Sequence, residues 1–459
     1  MVRKKAVAST RSKAPSKKAA GRRPGKAASP STRRAEQLKI RMYNTGFGDC
    51  FLITIPAPDR PRKVLIDCGK HSLSKCKPPL KRIVSQVQAD LVEPDGANGK
   101  KQRIDLLIVT HRHLDHVNGF ALDGWENVEV GEIWMPWTED PNDPVARRIC
   151  DRQSRRSLQL QPLIARLSMD AAQRSDLLSY AGNNMRNEVA MNRLHKGFRG
   201  NPRRRFLPTA KTGTRPISPA CLPSVSIHVL GPSRDEKVIK CMDPPESEAY
   251  FRLTNFVDGD DAASRAPFSP KWIMTRKEYE QWFEEVLGKK SDYDPLERFS
   301  EDTQTHFRDL VESPERELAA TLEQAVNGTS LVLAFQIGSK VLFFPGDAQW
   351  GTWSEILEND RWRRLLQTVD FYKVGHHGSH NATPTRFVQE LLPTGVKAMV
   401  PTDDVATWPK IPKTELLAAL TKKKIPFVRS DRAEPADQKC FKRVMEDGYT
   451  LYVELALPL

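Results

Sequence analysis

Apolar runs of strand length, each ending abruptly on aspartate or histidine, limit most strongly what this chain can fold into. "IDLLIVT" runs into "HRHLDHVNG", "KVLIDCG" closes on Asp67, "KVLFFPGD" on Asp347, and "DFYKVGHHGS" on His376 and His377. A strand that is nearly continuously apolar needs cover on both faces. "CFLITIP" and "KVLIDCG" read as paired strands joined by "APDRPR", "SLVLAFQIGSKVLFFPGD" as a hairpin turning at Gly338-Ser339, and "VKAMVPT" as a further buried strand. Helical patterns lie between them: Thr275-x-x-Glu278 opens "TRKEYEQWFEEVLG" as a capping box, and Ser313-Pro314 opens a helix that stops at Asn327-Gly328. The fold class is α/β. Two strand-rich halves, 39–125 and 326–459, flank a polar insertion over 126–325, expected to be mostly helical and irregular with one strand near 224–230. There is no internal repeat.

Composition removes several classes. With 459 residues and 39% hydrophobic content the chain can bury a substantial core. No apolar stretch nears the roughly 18 residues of a membrane span, and no apolar segment follows the basic N-terminus, so neither a membrane role nor a secretory signal is expected. Seven cysteines without a C-x-x-C pair give neither a disulfide framework nor a thiolate metal site. A cytoplasmic protein is the expectation. The net charge of +15 is concentrated at one end: residues 1–40 hold 13 Lys and Arg against the single acid Glu36. Residues 1–38 have too little apolar surface to fold and read as a disordered basic tail, either a polycation that collects phosphate backbones or a solvated extension.

The stretch 110–119 carries the chemistry. His111, His113, Asp115 and His116 crowd six positions at the end of a buried strand, and imidazole and carboxylate are the usual ligands of zinc and similar divalent ions. Four donors in so short a loop suit two ions better than one. Asp67, Asp347, His376 and His377 repeat the arrangement at three more strand exits, where sites in α/β folds collect.

Thr-His-Arg-His-Leu-Asp-His resembles the H-x-H-x-D-H signature of the metallo-β-lactamase superfamily. "NTGFGDCFLI", "VLIDCG", "VLFFPGDA" and "YKVGHHGSH" are similar to the hydrolase domain of ComEC-type DNA-uptake proteins and their soluble relatives. The resemblance covers about half the chain. It implies a four-layer αββα sandwich with one or two divalent ions, zinc or manganese, at one edge. By the same resemblance His111 and His113 bind the first ion, Asp115 and His116 the second, Asp347 bridges both and His377 completes the second set. Asp67 orients the histidine loop, Asp49 supports it, and His376 takes a supporting or phosphate-facing role.

This sequence departs from that pattern at two places. Gly231-Pro232 stands where many members carry a further histidine for the first ion, and neither His195 nor His228 is expected to replace it; Phe47 stands where "GQGD" has glutamine. Two ions favour a substrate that gains negative charge in the transition state, so the expected activity is a metal-dependent hydrolase, a nuclease or phosphodiesterase acting on DNA or RNA. The catalytic candidates are Asp115, Asp347, His376 and His380, and the phosphate or nucleic-acid contacts Ser379, Asn381, Arg203, Arg204 and Arg205. The alternatives are a small-molecule hydrolase (cyclic nucleotide, ester or amide) and a metal-stabilised interaction module in a multi-protein bacterial assembly. The 126–325 insertion is a candidate surface for a protein partner.

Overall fold

The structure, a computed structural model, describes residues 37–74, 77–95, 99–153, 187–209, 215–242, 244–245, 248, 326–379, 381–405, 411–432 and 439–459. His380, the helix expected over 275–288, positions 313–325 of the next one and all of the basic tail before Gln37 lie outside the described residues.

In chain order the strands are β1 (Gln37–Tyr43), β2 (Phe51–Ile55), β3 (Arg62–Ile66), β4 (Val92–Pro94), β5 (Lys100–Ile108), β6 (Glu129–Pro136), β7 (Arg203–Leu207), β8 (Val225–Gly231), β9 (Val332–Ile337), β10 (Lys340–Phe344), β11 (Phe371–Lys373), β12 (Lys397–Val400), β13 (Phe427–Arg429), β14 (Phe441–Glu446) and β15 (Tyr449–Pro458). The helices used below are α1 (Leu80–Asp90), α2 (Leu114–Val117), α3 (Glu188–Lys196), α4 (Trp350–Glu358), α5 (Asp360–Leu366) and α6 (Thr414–Lys422).

Two mixed sheets form. The larger runs β14-β15-β1-β2-β3-β5-β6-β7, with β4 paired to β5, and the smaller runs β13-β12-β11-β10-β9-β8. Within them β3, β5, β6 and β7 are mutually parallel, as are β10, β11, β12 and β13. Side chains of a strand alternate between faces, and the apolar runs supply both. Phe51, Ile53, Val64, Ile66, Leu106 and Ile108 meet Leu333, Phe335, Leu342 and Phe344 in one core between the sheets. Leu52, Leu65 and Leu107 turn the other way, to α1 and α3. Val341, Phe343, Val332 and Ala334 turn away from the shared core, to α4, α5 and α6. The result is helix, sheet, sheet, helix. Each fully buried Leu, Ile or Phe of these layers contributes roughly 1.5–3 kcal/mol.

The expected strands near "CFLITIP", "KVLIDCG" and 224–230 and the hairpin at Gly338-Ser339 are present as β2, β3, β8 and β9–β10. The described part of 126–325 holds three strands where one was expected, beside helical and irregular stretches. It supplies β6 and β7 to the larger sheet and β8 to the smaller, with α3 packed outside. Trp134 and Trp137, 0% and 1% exposed, are core residues. Among the described residues no helix is long and apolar enough to cross a membrane.

Candidate metal centre

Four strand exits and one turn converge to build the site. β3 leaves through Asp67, and β5 through Thr110 into His111-Arg112-His113 and the single turn α2. β10 leaves through Pro345-Gly346 to Asp347, β11 through Val374-Gly375 to His376 and His377, and the turn from β1 to β2 ends on Asp49. Two glycines permit the approach: a Cβ on Gly48 would stand 2.4 Å from the Gly69 carbonyl oxygen, and one on Gly69 would stand 2.3 Å from the Asp115 carbonyl carbon. Backbone there lies directly on backbone. His376 and His377 are both left-handed, with φ of 43° and 56°, a conformation that costs on the order of 1–3 kcal/mol for a residue with a side chain.

The ring orientations follow from the partners on the side away from the centre. Asp67, fully buried, accepts from the Thr110 N–H (2.8 Å), the Thr110 hydroxyl (2.6 Å) and His116 Nδ1 (2.9 Å). Because the Thr110 proton is given to Asp67, Thr110 Oγ1 accepts from His111 Nδ1 at 3.1 Å, which leaves His111 Nε2 a lone pair. His377 Nδ1 donates to the Pro401 carbonyl at 2.9 Å, so its Nε2 is a lone pair too. Carbonyl and carboxylate partners of this kind set the tautomer of metal-ligating histidines.

The inward atoms form two groups. His111 Nε2 and His113 Nδ1 face each other at 3.0 Å. His377 Nε2 lies 3.5 Å from Asp115 Oδ2, and His116 Nε2 lies 3.9 Å from the same oxygen. Asp347 Oδ2 lies 3.1 Å from His116 Nε2 and 3.8 Å from His377 Nε2. Donor atoms of His111, His116 and Asp347 fall within 4.8 Å of one another, as do those of Asp115, His116 and His377.

Charge is strongly organised here. Burial, together with the charges of its two neighbours His116 and His113, drives His111 well below the ordinary imidazole value, and burial lowers His113 and His376 to about 4. Burial opposes the charged form of His116 as well, but Asp347, Asp115, Asp67 and Asp49 together hold its pKa well above the usual value. Burial works against ionised Asp347, yet Lys373 and His116 hold that carboxyl well below the usual range. For Asp115 the desolvation is likewise outweighed, first by His116 and then by His377.

Do these residues fit a divalent ion? Asp115 Oδ1 and His377 Nε2 are buried without a hydrogen-bond partner. Native interiors rarely leave such atoms unpaired. The facing lone pairs of His377 Nε2 and the Asp115 and Asp347 carboxylates repel unless a cation lies between them, so the donor set fits one.

Of the residues expected at the site, His111, His113, Asp115, His116, Asp347 and His377 are brought together, with Asp49 and Asp67 behind them. His376 is adjacent, but both its nitrogens have partners in the protein: Nε2 faces Asn327 Nδ2 at 3.2 Å and Nδ1 faces Asn381 Oδ1 at 3.3 Å. Ser379 also donates to Asn381 Oδ1, at 2.9 Å. Arg203, Arg204 and Arg205 are placed on β7, the edge strand. Arg205 pairs with Glu132 at 2.9 Å, Arg204 donates to the Leu194 carbonyl at 2.9 Å, and Arg203 is exposed. His195 stacks on Phe206, and His228 faces Trp362 on the helical side of the smaller sheet. Three contributors went unrecognised in the sequence. Lys373 is fully buried against Asp49 and Asp347; a lone lysine inside the apolar "DFYKVG" was the available signal, since it demands a carboxylate partner. Ser330 sits 3.2 Å from His111 Nδ1, and His71, 1% exposed, lies edge-on to Phe47, whose ring packs 4.2 Å from that of His377.

No family model and no curated protein matches this sequence. Among solved structures, Zn2+-bound PqqB from Methylobacterium extorquens is similar at a TM-score of 0.34 and 10% identity, over 82% of this chain and 84% of that one.

Proposed function

We propose that the chain is a metal-dependent hydrolase of the metallo-β-lactamase superfamily, of the soluble ComEC-like kind, which cleaves phosphodiester bonds in DNA or RNA. The supporting observation is the inward convergence of His377 Nε2, His116 Nε2, Asp115 and Asp347 Oδ2 while the outward nitrogens are taken by Pro401 and Asp67. His111, His113 and Asp347 would hold one zinc or manganese ion, and Asp115, His116, His377 and Asp347 a second. When bound, such ions supply water that ionises near neutral pH, with a pKa of about 7, and draw charge from a phosphoryl oxygen.

The protein groups have separate tasks. Asp115 Oδ1, buried and without a hydrogen-bond partner, accepts the proton of the attacking water. Asp67 and Pro401 keep the His116 and His377 rings aimed, so that no reorganisation is needed as charge develops. His376, Ser379 and Asn381, linked at the exit of β11, contact the phosphate together with His380. The proton taken up by Asp115 then passes to the leaving oxygen. The basic segment before β1, which begins at Gln37 and so shortens the expected 1–38 tail by two residues, gathers the polyanion by counterion release, with Arg203 as an added contact. A cytoplasmic location and a protein partner on the 126–325 segment complete the proposal.

The test is direct. Protein loaded with Mn or Zn is incubated with plasmid, single-stranded DNA, RNA and a chromogenic phosphodiester, beside Asp115→Ala/His116→Ala. Cleavage of polymer by the parent alone is expected. Turnover of the small ester without polymer cleavage would move the assignment to a small-molecule hydrolase. Two bound ions without any turnover would leave a metal-stabilised interaction module.

A further inference from the structure

Lys373 ends β11, is 1% exposed, and uses its ammonium on three acceptors. It pairs with Asp49 Oδ2 at 2.6 Å and donates to Asp347 Oδ1 and to the Gly346 carbonyl, each at 3.1 Å. An ammonium has three protons, and this geometry gives each an acceptor. On Asp347 the effect is to occupy Oδ1, which also accepts the His376 backbone N–H at 3.2 Å. Only Oδ2 is left facing the histidines. On Asp49 the effect is to draw Oδ2 toward the lysine while Oδ1 stays 3.9 Å from His377 Nδ1, on the outer side of that ring.

We propose that Lys373 is a positioning residue for the metal centre: resting on the metal reading above, it confines Asp347 to a single ligating oxygen shared by both donor groups, and it keeps Asp49 out of the ligand set. The physical reason is competition for lone pairs. A carboxylate free to chelate one ion with both oxygens satisfies that ion and bridges poorly to a second. With Asp49, Asp67, Asp115 and Asp347 all buried around the centre, losing the ammonium would also add a negative charge. The first ion would then bind at least as tightly as before, in an altered oxygen-richer environment, and the second would bind more weakly. Lys373 thereby couples the occupancy of the two positions.

Cobalt(II) reads both effects, since its visible absorption weakens as oxygen ligands are added. The full chain is titrated with Co2+, and the cobalt retained after desalting is counted by plasma emission. The parent is expected to take two equivalents. Lys373→Met is expected to keep the first with a weaker, shifted visible band, and to bind the second at least tenfold more weakly. Because Lys373→Met strips the counter-charge from two buried carboxylates, Asp49→Asn/Lys373→Met is measured beside it. That pair removes one stripped charge, restores folding if the single variant lacks it, and still frees Asp347 Oδ1, so the second equivalent stays weak. A merely structural lysine would lower stability without changing the spectrum of the first equivalent. Two equivalents with parental affinities and spectrum in a folded variant overturn the role of Lys373 and leave the metal reading intact. A parent that takes up no cobalt overturns both.

Discussion

His116 Nδ1 lies 2.9 Å from Asp67 Oδ2, with both side chains fully buried. Since Asp67 also takes both protons offered by Thr110, one carboxylate fixes the exit of β5 and the ring of His116 together. In Asp67→Asn an amide N–H must oppose one of those donors. Divalent-ion affinity is expected to fall roughly 10–100-fold, the usual cost of losing such a partner. Competition against a chromophoric chelator measures it, and an unchanged affinity contradicts the role.

His376 and His377 adjoin in sequence and differ in what their nitrogens face. His377→Ala is expected to remove one bound ion of two, because its Nε2 points at Asp115 and Asp347. His376→Ala is expected to keep both ions and to lower turnover of a phosphodiester by about 10²-fold, the scale of a lost polar contact to the developing charge. Ion counts and rates on the two variants decide the matter. Equal ion loss in both would show that the pair has been divided wrongly.

Ion-free protein should have a bounded pH range of stability. Burial lowers His113 and His376 to about 4, so they stay neutral in the fold while the unfolded chain takes up protons. Their contribution is complete above about 6.5 and is lost as pH falls toward 4. His116 has the opposite sign. Burial resists its charge but the surrounding carboxylates raise its pKa, so its contribution is complete below about 6.5 and is lost as pH climbs through the raised value. Thermal melting of chelator-treated protein is expected to give a Tm that falls on both sides, with the acid-side loss between 6.5 and 4. A Tm that rises over that acid interval contradicts these assignments.

Arg112 sits between His111 and His113, and its Nε lies 3.3 Å from Glu139 Oε1. The arginine is 19% exposed and the glutamate 3%. Glu139→Ala is expected to cost about 3 kcal/mol, the low end for stripping one partner from a buried pair. It should weaken retention of the first ion more than the second, because the disturbed backbone carries His111 and His113. Denaturant titration with and without metal separates the two effects; a loss below about 0.5 kcal/mol, the range of ordinary surface changes, would assign the pair to the surface.

What could be seen in the chain itself was whatever depends on local pattern. Continuous apolar runs such as "IDLLIV" implied strands covered on both faces, and the polar residues that end them, His111 to His116, Asp347 and His377, stand out against that background. Features set by partners distant in the chain were not visible. Lys373 gains its meaning from Asp347 and from Asp49, the latter 324 positions earlier. Arg205 read as a basic contact for a polyanion, but β7 pairs beside β6 and places it on Glu132. "EVGEIWMP" and "RRRFL" lack the apolar continuity of the other strands, so β6 and β7 do not stand out from a helical and irregular segment; sheet pairing, a tertiary effect, overrides weak local preference.

The central claim is that two groups of donors hold two ions at the strand exits, and anomalous scattering from crystals grown with zinc or manganese tests it most directly. The account predicts one peak between His111 Nε2 and His113 Nδ1 and another among Asp115, His116 and His377, with Asp347 Oδ2 adjoining both. Crystals of fully metal-exposed protein with no peak within bonding reach of His116 and His377 would contradict it.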